Sequence, residues 1–163
     1  MTVEERLTAL EERLRRVEDE LAISRLIASY GPLVDAGDAE AVAALWVEDG
    51  QYEVAGRHMR SRADIAAMVH SPAHQDLIGG GSAHFLGPVC VDVDGDHAVA
   101  VCESILVRRS DDGGYRVWRA SANHLTLRRT TAGWRIVKRT TQALDGSQQA
   151  RDLLAAGAMG QPA

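Results

Sequence analysis

The chain has 163 residues, 45% of them hydrophobic and 25% charged, which is enough for one domain with a substantial core and short for two. Its net charge of −5 argues against a polyanionic partner, because nucleic acid is held by clustered basic surface; the pairs Arg15-Arg16, Arg108-Arg109 and Arg128-Arg129 are dispersed and read as solvated faces or strand edges. Two cysteines, Cys90 and Cys102, fall short of a disulfide framework or a metal site, and no stretch approaches the roughly 18 apolar residues of a membrane span.

Residues 3–21 place Val3, Leu7, Leu10, Leu14, Val17 and Leu21 at alternating spacings of four and three. That is a heptad seam, with charged residues solvating the other faces. Two readings are open: an amphipathic helix lying on its own domain, or one packing on a neighbouring subunit. About three heptads are marginal for a free-standing coiled coil, so association would need the globular part as well. A charged start without an apolar leader core points to the cytoplasm.

The stripe then widens to Ile23, Leu26, Ile27, Tyr30, Leu33 and Val34, as suits a helix lining a core. Pro32 is expected to kink this helix or end it early. Gly37 is a natural stop, and Asp38 a natural N-cap for "AEAVAALW". "QYEVAG" reads as a short strand and "SRADIAAMVH" as a helix that begins near Ser61. "SPAHQDLIGGG" reads as a mobile loop, because three successive glycines are entropically costly to order.

From residue 82 the pattern is β. "SAHFLGPVCVDV" turns at Asp94-Gly95 into "HAVAVCESILVRR", and Asp112-Gly113 leads to "YRVWRASANHLTLRR"; both dipeptides are strong hairpin signals. "TTAG" leads on to "WRIVKRTTQAL", and "AAGAMGQPA" looks frayed. The expectation is an α+β fold: a curved antiparallel sheet, curled around helices, enclosing an apolar pocket open at one end. The organisation expected is a helical extension over 1–20, the α+β cone over 21–145, and a helix or tail over 146–163.

One carboxylate does not fit the apolar pattern. Asp35 falls where the helix should still be burying a face, with Tyr30 five residues before it and Tyr52 beyond the next helix. His84 is the strongest companion candidate, because it opens a long strand at what would be the pocket mouth. A carboxylate beside an imidazole stabilises the imidazolium that forms when the base accepts a proton, which allows proton removal without any metal. Glu103 alternates with Val99 and Val101, and faces the interior only if Cys102 and Ser104 do not. Arg139 shares a face with Val137 by the same alternation, and could meet Glu103, an anionic part of a substrate, or solvent. Ser121 and Asn123 fall on one face with Arg119 and Leu125, where they could bind a substrate carbonyl or hydroxyl, with His124 on the other. His58, His70, His74 and His97 are expected at the surface. Pro72 separates His70 from His74, so no zinc site is expected, and no nucleophile elbow, phosphate loop or dinucleotide fingerprint is present.

Taken together, "AISRLIASYGPLVDAGDAEAVAALWVEDGQYEV", "GGSAHFLGPVCVDVDGDHAVA" and "GWRIVKR" make residues 20–145 resemble the SnoaL-like family of the nuclear-transport-factor-2-like superfamily. The resemblance implies a cone-shaped α+β barrel. It also implies kinship with cofactor-independent dehydratases and eliminases of the scytalone dehydratase, bile-acid 7α-dehydratase and lindane dehydrochlorinase type. The Asp–His dyad of those enzymes falls on Asp35 and His84, and a catalytic Tyr on Tyr30. An acidic strand residue falls on Glu103, an Arg on Arg139, and a second Tyr with a Ser-x-Asn pair on Tyr52, Ser121 and Asn123. The expected activity is elimination on a hydrophobic steroid-, polyketide- or terpenoid-like molecule. Isomerisation, polyketide cyclisation, or a non-catalytic ligand-binding or oxygenase β-subunit role are the alternatives. A homo-oligomer, trimer or dimer, is expected from such relatives and from the N-terminal seam.

Overall fold

The structure, a computed structural model describing residues 1–163, opens with a single 33-residue helix, α1 (Val3–Asp35). A capping box starts it: Thr2 accepts from the Glu5 amide, and the Glu5 carboxylate accepts from the Thr2 amide, which satisfies two otherwise orphan donors. Of the two effects expected, a kink or an early end, Pro32 does not produce the second. It lies in the final turn, where only one more turn of backbone follows, and its carbonyl accepts from the Ala36 amide. Residues 1–18 are exposed throughout, so the front of α1 projects from the domain, and the reading in which it lies on its own core is corrected. From Asp19 onward the buried residues Ile23, Ile27, Tyr30, Gly31 and Val34 recur at helical spacing and line the core.

Helix α2 (Ala39–Ala43) is capped by Asp38 as expected, and α3 (Arg62–His70) by Ser61. Between them lie strands β1 (Trp46–Val54) and β2 (Arg57–Met59). The segment expected to be a loop is instead a helix, α4 (Pro72–Gly79). Ser71 caps it and Pro72 occupies its first turn, where a missing N–H and a fixed φ are favourable. Two strands, β3 (Ser82–Leu86) and β4 (Cys90–Asp94), replace the expected single one, and the long strands β5 (His97–Arg109), β6 (Tyr115–Thr130) and β7 (Gly133–Ala143) follow. Both Asp-Gly hairpins form, pairing Asp94 with His97 and Arg109 with Tyr115.

All seven strands form one curved sheet, in the order β2-β1-β7-β6-β5-β3, with β4 pairing the first half of β5. The sheet is mixed rather than wholly antiparallel, because β1 runs parallel to β7. Its concave face packs Ala98, Ala100, Leu125, Leu127 and Ile136 on the apolar stripe of α1. The C-terminal segment is not frayed: α5 (Gln148–Ala158) packs against β5 and β6, with Gly157 against Val101 and His124, and the Gln161 carbonyl meets His124 Nε2 at 2.8 Å. No helix is long and apolar enough to cross a membrane.

Two bulges decide what faces the interior. In β7 the register slips at Val137, since Thr126 pairs with Lys138 but Leu127 pairs with Ile136. The extra residue reverses the side-chain phase, so Arg139 and Thr141 join Ile136 on the buried face. Arg139 therefore does not share a face with Val137. In β6, Leu106 pairs with Arg119 and Val107 with Val117, leaving Trp118 as the extra residue at the cone's mouth.

Candidate active site

A cavity of about 600 Å³ opens between α1, α4 and the concave sheet. The end of α1 brings Tyr30 to its wall and the first residues of β3 bring His84, while Asp35, in the last turn of α1, contacts His84 without lining the cavity. Asp35 holds His84 at two points: its Oδ2 accepts from the His84 backbone N–H at 2.7 Å, and its Oδ1 accepts from the imidazole Nδ1 at 2.7 Å. The carboxylate thereby fixes the ring's orientation and leaves Nε2 as the free base. Both side chains are largely enclosed, His84 16% and Asp35 22% exposed. Burial pulls the His84 pKa below its usual 6.5, against the upward effects of the Asp35 hydrogen bond and charge, while His74 and Arg139 lower it further. A weakly basic but neutral imidazole can accept a proton at neutral pH.

Tyr30 stands edge-on to His84, ring centroids 6.4 Å apart, and edge-on to Tyr52 at 6.3 Å. Burial, with Tyr52 beside it, pushes the Tyr30 phenol well above its ordinary value of 10.0, so it remains a proton-bearing hydrogen-bond donor. Arg139 is 3% exposed and lies over both phenol rings, with its guanidinium carbon 4.2 Å from the Tyr30 centroid and 4.8 Å from that of Tyr52.

Among the other expected residues, Tyr52, Ser121 and Arg139 border the cavity. Asn123 does not, and is fully buried. Its carbonyl accepts from Arg139 and Thr141, and its amide donates to the Cys102 carbonyl and Ser104 Oγ. With both ends committed, Asn123 positions Arg139 rather than touching a ligand. Glu103 is corrected outright: the β5 register turns Cys102 and Ser104 inward, so Glu103 is exposed on the convex side. His124 faces α5, as alternation requires.

His74, expected at the surface, is 7% exposed and borders the cavity. Its Nε2 lies 3.0 Å from the Val34 carbonyl, and its ring centroid is 6.0 Å from that of His84. The signal for it was the Ser71-Pro72 start of α4, which places His74 on the first turn. Arg57, Arg108 and Trp118 also line the cavity; only the β6 bulge explains why adjacent residues Trp118 and Arg119 both reach it. No three His, Cys, Asp or Glu side chains lie close enough to share a metal ion.

A model of the SnoaL-like domain matches residues 15–140. Among solved structures, an NTF2-like protein with a cystatin-like fold from Novosphingobium aromaticivorans is 52% identical, covering 91% of this chain and 96% of that one, with a TM-score of 0.88. A candidate aromatic ring hydroxylase from the same species is 25% identical over 78% of this chain and 90% of its own, TM-score 0.66. A candidate scytalone dehydratase, again from that species, is 19% identical over 78% and 85%, TM-score 0.65, and attests the fold alone. Among curated proteins, none matches the chain significantly.

Proposed function

The chain belongs to the SnoaL-like domain family, and from that premise we propose that it is a cofactor-independent lyase. In this reading it removes water from a hydrophobic hydroxylated small molecule, with His84 as the base. The observation that carries the reading is the two-point clasp of Asp35 on His84, 2.7 Å at each contact, at the wall of a cavity large enough for a polycyclic substrate.

His84 Nε2 takes a proton from a carbon next to an electron-withdrawing group. The C–H electron pair passes into that group, a carbonyl, as an enolate; its return forms the new double bond as the neighbouring C–O bond breaks, and the departing hydroxyl leaves as water with the proton returned by the imidazolium. The enzyme ends as it began. Asp35 stabilises the transient imidazolium, and the protonated Tyr30 phenol donates to the developing oxyanion. Positioned proton transfer contributes about 10²–10⁴-fold, and an oxyanion donor about 10²–10³-fold.

Proton abstraction can be measured before the natural substrate is known. The full chain should catalyse deuterium uptake from D₂O at the α-carbon of 2-tetralone and of β-hydroxy ketones, and His84→Gln should reduce that rate at least a hundredfold. Equal rates for the two proteins across the panel would overturn the proposal.

The projecting front of α1 supports a second part of the reading, that the chain is a homo-oligomer. Val3, Leu7, Leu10, Leu14, Val17 and Leu21 are each at least half exposed, and a second copy of the same seam is the complementary surface.

A further inference from the structure

The cavity carries a charge imbalance that proton transfer at His84 does not require. Arg57, Arg108, Arg119 and Arg139 border it, whereas Asp76 is the single acidic residue on its wall. None of the four arginines takes part in an ion pair anywhere in the molecule. The one nearby carboxylate of the dyad, Asp35, has both oxygens engaged by His84.

Arg139 makes the imbalance acute. Its guanidinium is charged at any accessible pH, yet its partners are neutral: Nε and Nη2 donate to the Asn123 Oδ1 at 3.3 and 2.8 Å, and the Tyr30 phenol is its other hydrogen-bonding neighbour. Burying a cation without an anionic partner is costly, and the phenol faces of Tyr30 and Tyr52 compensate only in part. Asn123 cannot offer more, since Thr141 also donates to the same oxygen at 2.8 Å. The remaining N–H groups of Arg139 form a planar fork, a geometry that matches the two oxygens of a carboxylate.

We infer that the substrate is an organic anion: a carboxylate on an otherwise hydrophobic skeleton, seated on Arg139, with Arg119 and Arg108 drawing it in from the mouth. The inference rests on the lyase reading for what happens next, and it deepens that reading by fixing the substrate's orientation. Tyr30 lies against both Arg139 and His84, its ring centroid 4.2 Å from the guanidinium carbon and 6.4 Å from the imidazole centroid. The carboxylate end and the carbon that loses its proton are therefore held a few bonds apart.

The test compares 2-naphthoate with 2-naphthamide, which match in shape and differ in charge, by calorimetric titration of the full chain. The expected result is at least tenfold tighter binding of the naphthoate. In Arg139→Lys, which keeps the charge and loses the fork, the preference should fall to about threefold or less, and in Arg119→Gln it should weaken while the apparent melting temperature stays unchanged. Equal affinity of the native chain for acid and amide would overturn the inference without any variant having to fold, as would an undiminished preference in a folded Arg139→Lys. His84→Gln separates this question from the lyase reading. It should keep the anion preference while losing deuterium exchange; preference without any His84-dependent exchange would sink only the chemistry, and exchange without preference only the anion site.

Discussion

Gly31 of α1 is pressed against the backbone of His84 at the start of β3, so closely that a methyl group at Gly31 would overlap the His84 carbonyl oxygen. The helix and the strand that carry the two halves of the dyad are thus registered by the absence of a side chain. Gly31→Ala should push α1 away from β3 and part Asp35 from His84. Helix propensity alone predicts the opposite, since alanine is favoured over glycine by about 1 kcal/mol in a helix. Steric overlap should prevail, with a net loss of about 1–3 kcal/mol in chemical denaturation and at least a tenfold fall in deuterium exchange. A more stable, fully active Gly31→Ala protein would contradict this close registration.

Asp35→Asn tests the carboxylate separately from the contact. An amide is nearly isosteric, but it removes the charge that supports the His84 pKa and can impose the other tautomer by donating to Nδ1. The exchange rate should fall by about 10²–10⁴-fold. In the native protein burial holds His84 below 6.5, so activity should rise with pH and reach half its plateau below pH 6.5. Asp35→Asn should move that midpoint still lower. A pH–rate profile of both proteins, with the imidazole titrated by NMR, decides the sign.

Asp19 anchors the projecting helix to the sheet. It accepts two hydrogen bonds from Arg129 at 2.7 Å each and one from the Trp134 indole at 2.9 Å. The Arg129 hydrogen bonds hold its carboxyl below the usual 3.8, against the opposing effect of burial. Because the folded-state pKa is depressed, the stabilisation is complete above the unfolded value and is lost as pH falls through the folded one. Asp19→Asn should therefore cost about 1–3 kcal/mol at pH 7. The gap between variant and native protein should narrow below about pH 4, the unfolded-carboxylate range, in urea melts at pH 7 and pH 3.

The exposed seam makes a prediction about mass. Light scattering of the native chain should report a dimer or trimer, and Leu7→Lys with Leu14→Lys should raise the dissociation constant at least tenfold while leaving the circular dichroism of the core intact. An unchanged mass would remove the seam as the association surface.

What the sequence determined by itself was whatever depends on neighbours along the chain. Asp38 and Ser61 announce their helices by capping, Asp94-Gly95 and Asp112-Gly113 their hairpins, and the spacing of Ile23, Ile27, Tyr30 and Val34 its buried stripe, because each rests on a local hydrogen bond or a fixed period. Asp35 and His84 were legible as candidates because a carboxylate on a core-facing helix end and a histidine at a strand start both break the apolar pattern. Tertiary structure alone decided which way the later strands face. Strand periodicity has two phases of equal local merit, so Glu103 in or out of the cone depends on pairing with β6, and Arg139 turns inward only because β7 carries an extra residue at Val137. His74 differs: the Ser71-Pro72 helix start is a local signal, outweighed in the reading by the three glycines that follow, and only the packing of α4 on the cavity decides that His74 is buried. A buried cation without an anion could not be foreseen in composition, since arginine counts say nothing about where the carboxylates went.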